Sequence, residues 1–334
     1  MNKQVTSELL MVRPANFSSN IESIETNKFQ SGLNIDDSQE LIQSLAIKEF
    51  DNMVNLLRDH QITIIDLDDI KELNNADAVF PNNWVTFHQD NTAVIYPMMS
   101  KSRRQEKRND LLKYLEEYQS YKIEKLIDLS YLEKDGFFLE GTGSMVLDRI
   151  NKIVFACISS RTSIDALEVF CGELNYSSVV FEALSDNVPI YHTNVMMSLG
   201  QETAFICSDS IKDEKDNKRI HKIFRMSERK IIELSIAQMK QFAGNVLEVE
   251  NAKGRSHLIM SESAYNSLDQ EQIELINSVS IIISIPLKTI EKYGGGSARC
   301  MLAEIFLTKA KYNSKHGSNI RDSAPCSSIC LTKK

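Results

Sequence analysis

The chain has 334 residues, 42% of them apolar and 25% charged, with a formal net charge of −8. Such a composition supports a sizeable core, and the acidic balance excludes attraction to nucleic acid or an anionic membrane through bulk charge. Residues 1–10 hold no apolar signal core, and no apolar run reaches the length of a membrane span, so a cytoplasmic protein is expected. The six cysteines show no paired spacing. Cys326 and Cys330 stand in a polar tail without a second ligand pair, so free thiols and no metal site are expected.

Met11 to Arg13 opens a short strand, and apolar residues at helical spacing predict a helix over Ser38 to His60. Ile62 to Leu67 reads as a β-branched strand, and Trp84 to His88 pairs with Ala93 to Pro97 as a hairpin. Lys101 to Arg108 is the densest basic cluster; it opens a helix predicted over Arg103 to Gln119 and reads as a solvated face. Strands follow at Lys122 to Ile127, Phe137 to Leu147 and Ile153 to Ile158, then a helix over Ser163 to Leu174 with Ser163 as its N-cap. Val179 to Ala183, Ile190 to Ser198 and Ala204 to Cys207 read as strands, and Ser227 to Phe242 as a helix. Val246 to Glu250, Ser256 to Ser261 and Ser280 to Ile285 are strands around a helix at Gln270 to Asn277, before a glycine-rich turn.

One supersecondary unit therefore recurs about every 60 residues, roughly five times. A doubly wound sheet needs one strand per helix. Here two or three accompany each helix, which favours an α/β ring of ββαβ units around a central axis, with loops converging on one end. No linker divides the chain, so residues 1–313 are read as one domain and Ser314 to Lys334 as a disordered tail.

Three stretches combine reactive groups with unusual backbone. Gly294-Gly295-Gly296-Ser297-Ala298-Arg299-Cys300 sets a cysteine behind three glycines, a turn that permits positive φ and close approach to a ligand. Beside Arg299, Cys300 reads either as an exposed nucleophile or as a buried loop cysteine. Tyr191-His192-Thr193-Asn194-Val195 places a histidine in an apolar strand, where structural histidines are common. Leu139-Glu140-Gly141-Thr142-Gly143 places a carboxylate beside apolar residues, which calls for a partner. Together Glu140, His192 and Cys300 supply the three functions of nucleophilic catalysis, although chain order alone is not diagnostic.

These stretches, with Ser160-Arg161-Thr162, resemble the guanidino-group modifying superfamily of arginine deiminases, dimethylarginine dimethylaminohydrolases and amidinotransferases. Met-Val-Arg-Pro-Ala-Asn-Phe near the start and Phe80-Pro81-Asn82-Asn83-Trp84 are similar, more narrowly, to citrulline-utilization hydrolases. The similarity runs from about Met11 to Phe306. It implies a five-bladed, pseudo-symmetric α/β propeller without a metal or organic cofactor. It also implies Cys300 as nucleophile, His192 as general acid/base and Glu140 as the carboxylate that holds substrate nitrogens or supports the histidine. Arg161 would clamp a substrate α-carboxylate; read without the resemblance, it is a surface hairpin arginine. Asp148 and Arg149 are read as structural.

Arginine-directed members carry an acidic residue in the early motif where this chain has Asn82 and Asn83. An amide can donate and accept but carries no charge, which suits a neutral ureido group; Asp77 is an alternative source of charge. The implied reaction is hydrolysis of citrulline to ornithine, carbon dioxide and ammonia through a covalent cysteine intermediate. Arginine or methylarginine hydrolysis, amidino transfer and a non-catalytic binding module stay open. The expected partner is a small amino-acid substrate, with a homodimer as the one oligomeric expectation.

Overall fold

Each strand-rich interval of the sequence folds into one three-stranded sheet. The computed structural model describes residues 3–24, 27, 29–30 and 38–310. The tail from Ser314 onward, with Cys326 and Cys330, lies outside the described residues.

Five sheets share one topology. Their strand orders are Val85–Phe87, Thr92–Ile95, Lys125–Asp128; Met145–Asp148, Ile153–Cys157, Ser177–Phe181; Met197–Leu199, Thr203–Ile206, Lys230–Glu233; and Leu247–Glu250, Ser256–Ser261, Ile281–Ile285. The fifth joins Ala303–Glu304 to Glu8–Arg13 and Thr63–Asp68, so the end of the described chain completes the sheet that its beginning opened. In every sheet the middle strand is antiparallel to the first and parallel to the third. A parallel neighbour requires a crossover, and a helix fills each one. The protein is thus a mixed α/β fold of small sheets.

Local sequence explains the elements. Thr92–Ile95 and Thr203–Ile206 are buried along their whole length, as expected of central strands covered on both faces. The helix Gln39–Asp59 starts at Ser38, whose side chain accepts from the Leu41 amide. It buries Ile42, Ala46, Phe50, Met53 and Leu57 along one stripe. Ser163 caps Ile164–Leu174 as the sequence predicts, accepting from the Ala166 amide. No helix among the described residues is long and apolar enough to cross a membrane.

Several boundaries differ from the sequence reading, and the differences shape the site. The predicted helix at Ser227 to Phe242 is the strand Lys230–Glu233 followed by the short helix Ile236–Lys240; the long helix precedes it at Glu214–Met226. Ile231 and Ile232 satisfy a helical or a strand pattern equally, and parallel pairing with Thr203–Ile206 decides. The strand read over Ile190 to Ser198 does not form as a unit. His192 instead caps a 3₁₀ turn at Thr193–Val195. The strand read over Phe137 to Leu147 contains the helical turn Gly141–Ser144, with Glu140 at its N-cap. The helix read from Arg103 splits into a 3₁₀ turn at Lys101–Glu106 and the helix Asn109–Glu117.

Candidate active site

The glycine run ends the helix Lys288–Gly294. Gly295 takes φ +64 as its C-cap. Gly294 and Gly296 line one pocket with Cys300 and pack tightly on its wall. A Cβ on either would come within 2.7 Å or 2.9 Å of the Phe80 ring, so these glycines let the loop press against Phe80. Ser297 then donates to the buried Glu291 carboxylate at 2.6 Å. The next 3₁₀ turn, Ala298–Met301, carries Cys300, which is buried rather than exposed. Arg299 beside it turns its guanidinium toward Glu304, at 2.7 Å.

Glu140 is fully buried and is the meeting point of the site. Its Oε2 lies 2.8 Å from His192 Nε2, 3.6 Å from Arg161 Nη1 and 3.9 Å from Arg103 Nη1, while its Oε1 accepts from the Met99 amide at 3.0 Å. Burial opposes its charge, but Arg161, the His192 hydrogen bond and Arg103 outweigh burial and hold the carboxyl well below the usual carboxylate range. His192 goes the other way. Burial lowers its pKa to about 4, more than the neighbouring Glu140 raises it.

The pair therefore rests as carboxylate and neutral imidazole. A carboxylate only accepts, so His192 carries its proton on Nε2 and leaves Nδ1 as a free base. Gly143 makes room for that edge: a Cβ there would lie 2.7 Å from His192 Nδ1 and 2.5 Å from Asn83 Nδ2. This carries a pH signature. Protonation of Nδ1 removes the base, so kcat/KM should persist below the ordinary histidine value of 6.5 and fall only as pH approaches about 4. A pH–rate profile whose acid limb lies at or above 6.5 would contradict this protonation state.

Arg103 corrects the reading of the basic cluster as a solvated face. It is buried, donates to both oxygens of Glu106 at 2.9 Å each, and donates through Nη1 to Asn83 Oδ1 at 2.9 Å. Its Nε lies 3.5 Å from Asp77. The run Lys101 to Arg108 gave no warning that two of its members, Arg103 and Glu106, point inward. Asn82 and Asn83, treated together in the sequence, part here. Asn83 lines the pocket with Asp77, Arg103, Arg161, His192 and Cys300. Asn82 turns away and donates to Thr142 Oγ1 at 3.2 Å.

Arg161 is buried, which excludes the surface-hairpin reading; besides Glu140 it donates to the Ser23 carbonyl at 3.3 Å and lies over the Tyr191 ring. Asp148 pairs with Arg229 at 2.6 Å and Arg149 with Glu304 at 3.5 Å, so neither enters the pocket. Two residues the sequence did not single out as functional reach the Cys300 sulfur. Asn245 Nδ2 lies 3.3 Å from Sγ and Asn194 Nδ2 3.6 Å from it.

A family model described as N,N dimethylarginine dimethylhydrolase, eukaryotic, matches residues 13–307. The chain belongs to that family. It is a member of the guanidino-group modifying superfamily and a hydrolase acting on C–N bonds. No curated protein matches it significantly by sequence.

Solved structures agree on the fold. The N-terminal domain of ArgZ, an arginine dihydrolase from the ornithine–ammonia cycle in Cyanobacteria, superposes as a substrate-bound cysteine-to-serine mutant. It has a TM-score of 0.68 and 18% identity over 89% of this chain and 97% of that one. Full-length apo ArgZ gives 0.69 and 18% over 93% of this chain, which spans 42% of it. A dimethylarginine dimethylaminohydrolase mutant carrying an S-methyl-L-thiocitrulline adduct gives 0.62 and 15% over 91% of this chain and all of that one.

Proposed function

We propose that this member hydrolyses the ureido group of citrulline through a covalent adduct on Cys300. The observation that carries the choice of substrate is the orientation of Asn83. Arg103 can only donate, so the Asn83 atom facing it is Oδ1. That leaves Asn83 Nδ2 turned the other way, beside His192, buried and without a hydrogen-bond partner. A buried unpaired donor is costly until an acceptor meets it. A ureido oxygen is such an acceptor, whereas a guanidinium offers only donors.

The chemistry follows from the resting protonation states. His192 Nδ1 takes the Cys300 proton, and Sγ attacks the ureido carbon. Negative charge develops on the ureido oxygen, where Asn83 Nδ2 donates. His192 returns its proton to the δ-nitrogen as that C–N bond breaks, releasing ornithine and leaving a carbamoyl group on sulfur. His192 then takes a proton from water, the hydroxide attacks, the C–S bond breaks, and sulfur recovers the proton. The released carbamate decomposes to carbon dioxide and ammonia. Glu140 holds the Nε2 proton of His192 throughout, so Nδ1 is the atom that gains and loses the proton. Arg161, which lines the pocket, is the proposed clamp for the α-carboxylate.

For the frame around this site we propose one catalytic domain over residues 1–313, closed as a five-bladed propeller. Pairing of Ala303–Glu304 with Glu8–Arg13 supports the closure. The proposed setting is the cytoplasm, and the proposed assembly is a homodimer.

One observation favours an arginine-directed reading instead. Asp77 Oδ1 is buried in the same pocket with no hydrogen-bond partner, and a cation would meet it. The ratio of kcat/KM for citrulline over arginine separates the two. The citrulline reading expects a wild-type ratio well above one and a fall of about a hundredfold or more in Asn83→Asp, because one buried counter-charge is worth several kcal/mol. Asn82→Asp, on a side chain facing Thr142, should move the ratio far less. A wild type that prefers arginine, with a ratio insensitive to Asn83→Asp, would overturn the substrate assignment.

A further inference from the structure

We infer that Asn245 is a catalytic residue of this site, donating a side-chain N–H to Cys300 Sγ and so stabilising the sulfur as thiolate. The inference rests on the reading of Cys300 as nucleophile. Asn245 is fully buried, just ahead of the strand Leu247–Glu250. Its neighbour Gly244 packs where a Cβ would lie 2.5 Å from the Val195 carbonyl oxygen, which draws the Asn245 loop against the turn that follows His192.

An amide seen only as heavy atoms can be turned either way, and its partners here settle the question. Asn245 Nδ2 lies 3.0 Å from the Asn194 carbonyl oxygen, which only accepts. Asn245 Oδ1 lies 3.1 Å from the Arg299 backbone N–H, which only donates. The reversed amide would set acceptor against acceptor and donor against donor.

With the orientation fixed, one N–H of Nδ2 serves Asn194 and the other faces Sγ at 3.3 Å. Oδ1 is farther from the sulfur, at 3.6 Å. The shorter contact is the one that favours a negative sulfur. Asn194 adds a second, longer donor at 3.6 Å. The Arg299 guanidinium gives its hydrogen bonds to Glu304 and to the Leu302 carbonyl, and its charge reaches the sulfur only through space. The two amides are the donors within hydrogen-bond reach of the sulfur, and burial keeps water from competing with them.

The test is the pH dependence of Cys300 alkylation by iodoacetamide in the full chain, with peptide mapping to confirm the modified residue. In Asn245→Asp, nearly isosteric and still able to accept from Arg299, and in Asn245→Ala, the inactivation profile should move to higher pH by about one unit. That is roughly tenfold slower alkylation at neutral pH. Asn194→Ala should move it the same way by less. Steady-state kinetics should show kcat falling with little change in KM. Asn245 variants that lose thermal stability yet keep the wild-type alkylation profile would reduce the residue to a loop staple and overturn the inference. Failure of the underlying reading would look different: Cys300→Ser would still turn over substrate, whatever Asn245 does.

Discussion

Cys300→Ser is expected to lower kcat by at least about four orders of magnitude while leaving the fold intact. A serine hydroxyl needs a strong base, and His192, whose pKa burial lowers to about 4, is a weak one. The thiol needs far less help. Shape and hydrogen bonding change little on substitution, since Asn245 and Asn194 can donate to oxygen as well as to sulfur. Circular dichroism and thermal unfolding should therefore match the wild type within a few degrees, and turnover should not. A variant retaining a rate near that of the wild type would remove Cys300 from the reaction.

The second large effect belongs to Glu140→Gln, expected to cost about a thousandfold or more in kcat, on the scale seen when a histidine loses its orienting carboxylate. The amide can offer a donor where only acceptors now stand. His192 would then hold its proton on Nδ1, and the base would be lost from the substrate side. Arg161 and Arg103 would also lose a shared buried anion, so a stability loss of about 3–5 kcal/mol should accompany the kinetic one. Glu140→Asp keeps the charge and should recover part of the stability but less of the rate, because its shorter side chain retracts from His192. Glu140→Gln with a rate within tenfold of wild type would refute the orienting role.

How much of this was legible in the sequence depended on punctuation. Glu140, His192 and Cys300 stood out because glycines or a short polar turn break the apolar pattern beside each, and the structure sets Glu140 2.8 Å from His192, which lines one pocket with Cys300. The strand–strand–helix–strand rhythm survived because central strands are apolar along their length and helix starts are marked by Ser38 and Ser163. Arg103 was hidden, since a cation within a basic run reads as solvated until its buried partners Glu106, Asp77 and Asn83 are known. Asn245 was hidden more deeply. It has no charge and no nearby motif, and only the third dimension sets it against Sγ. The same holds for Asn82 and Asn83, adjacent in sequence and opposite in direction because a 3₁₀ turn at Pro81–Asn83 separates their side chains.

The central claim is that hydrolysis passes through a carbon–sulfur bond at Cys300. Acid-quenched turnover of citrulline by the full chain, followed by peptide mass spectrometry, tests it directly. The account predicts a carbamoyl group on the peptide containing Cys300, present during turnover and gone when substrate is exhausted. Unmodified Cys300 throughout turnover, or an adduct only on another residue, would contradict it.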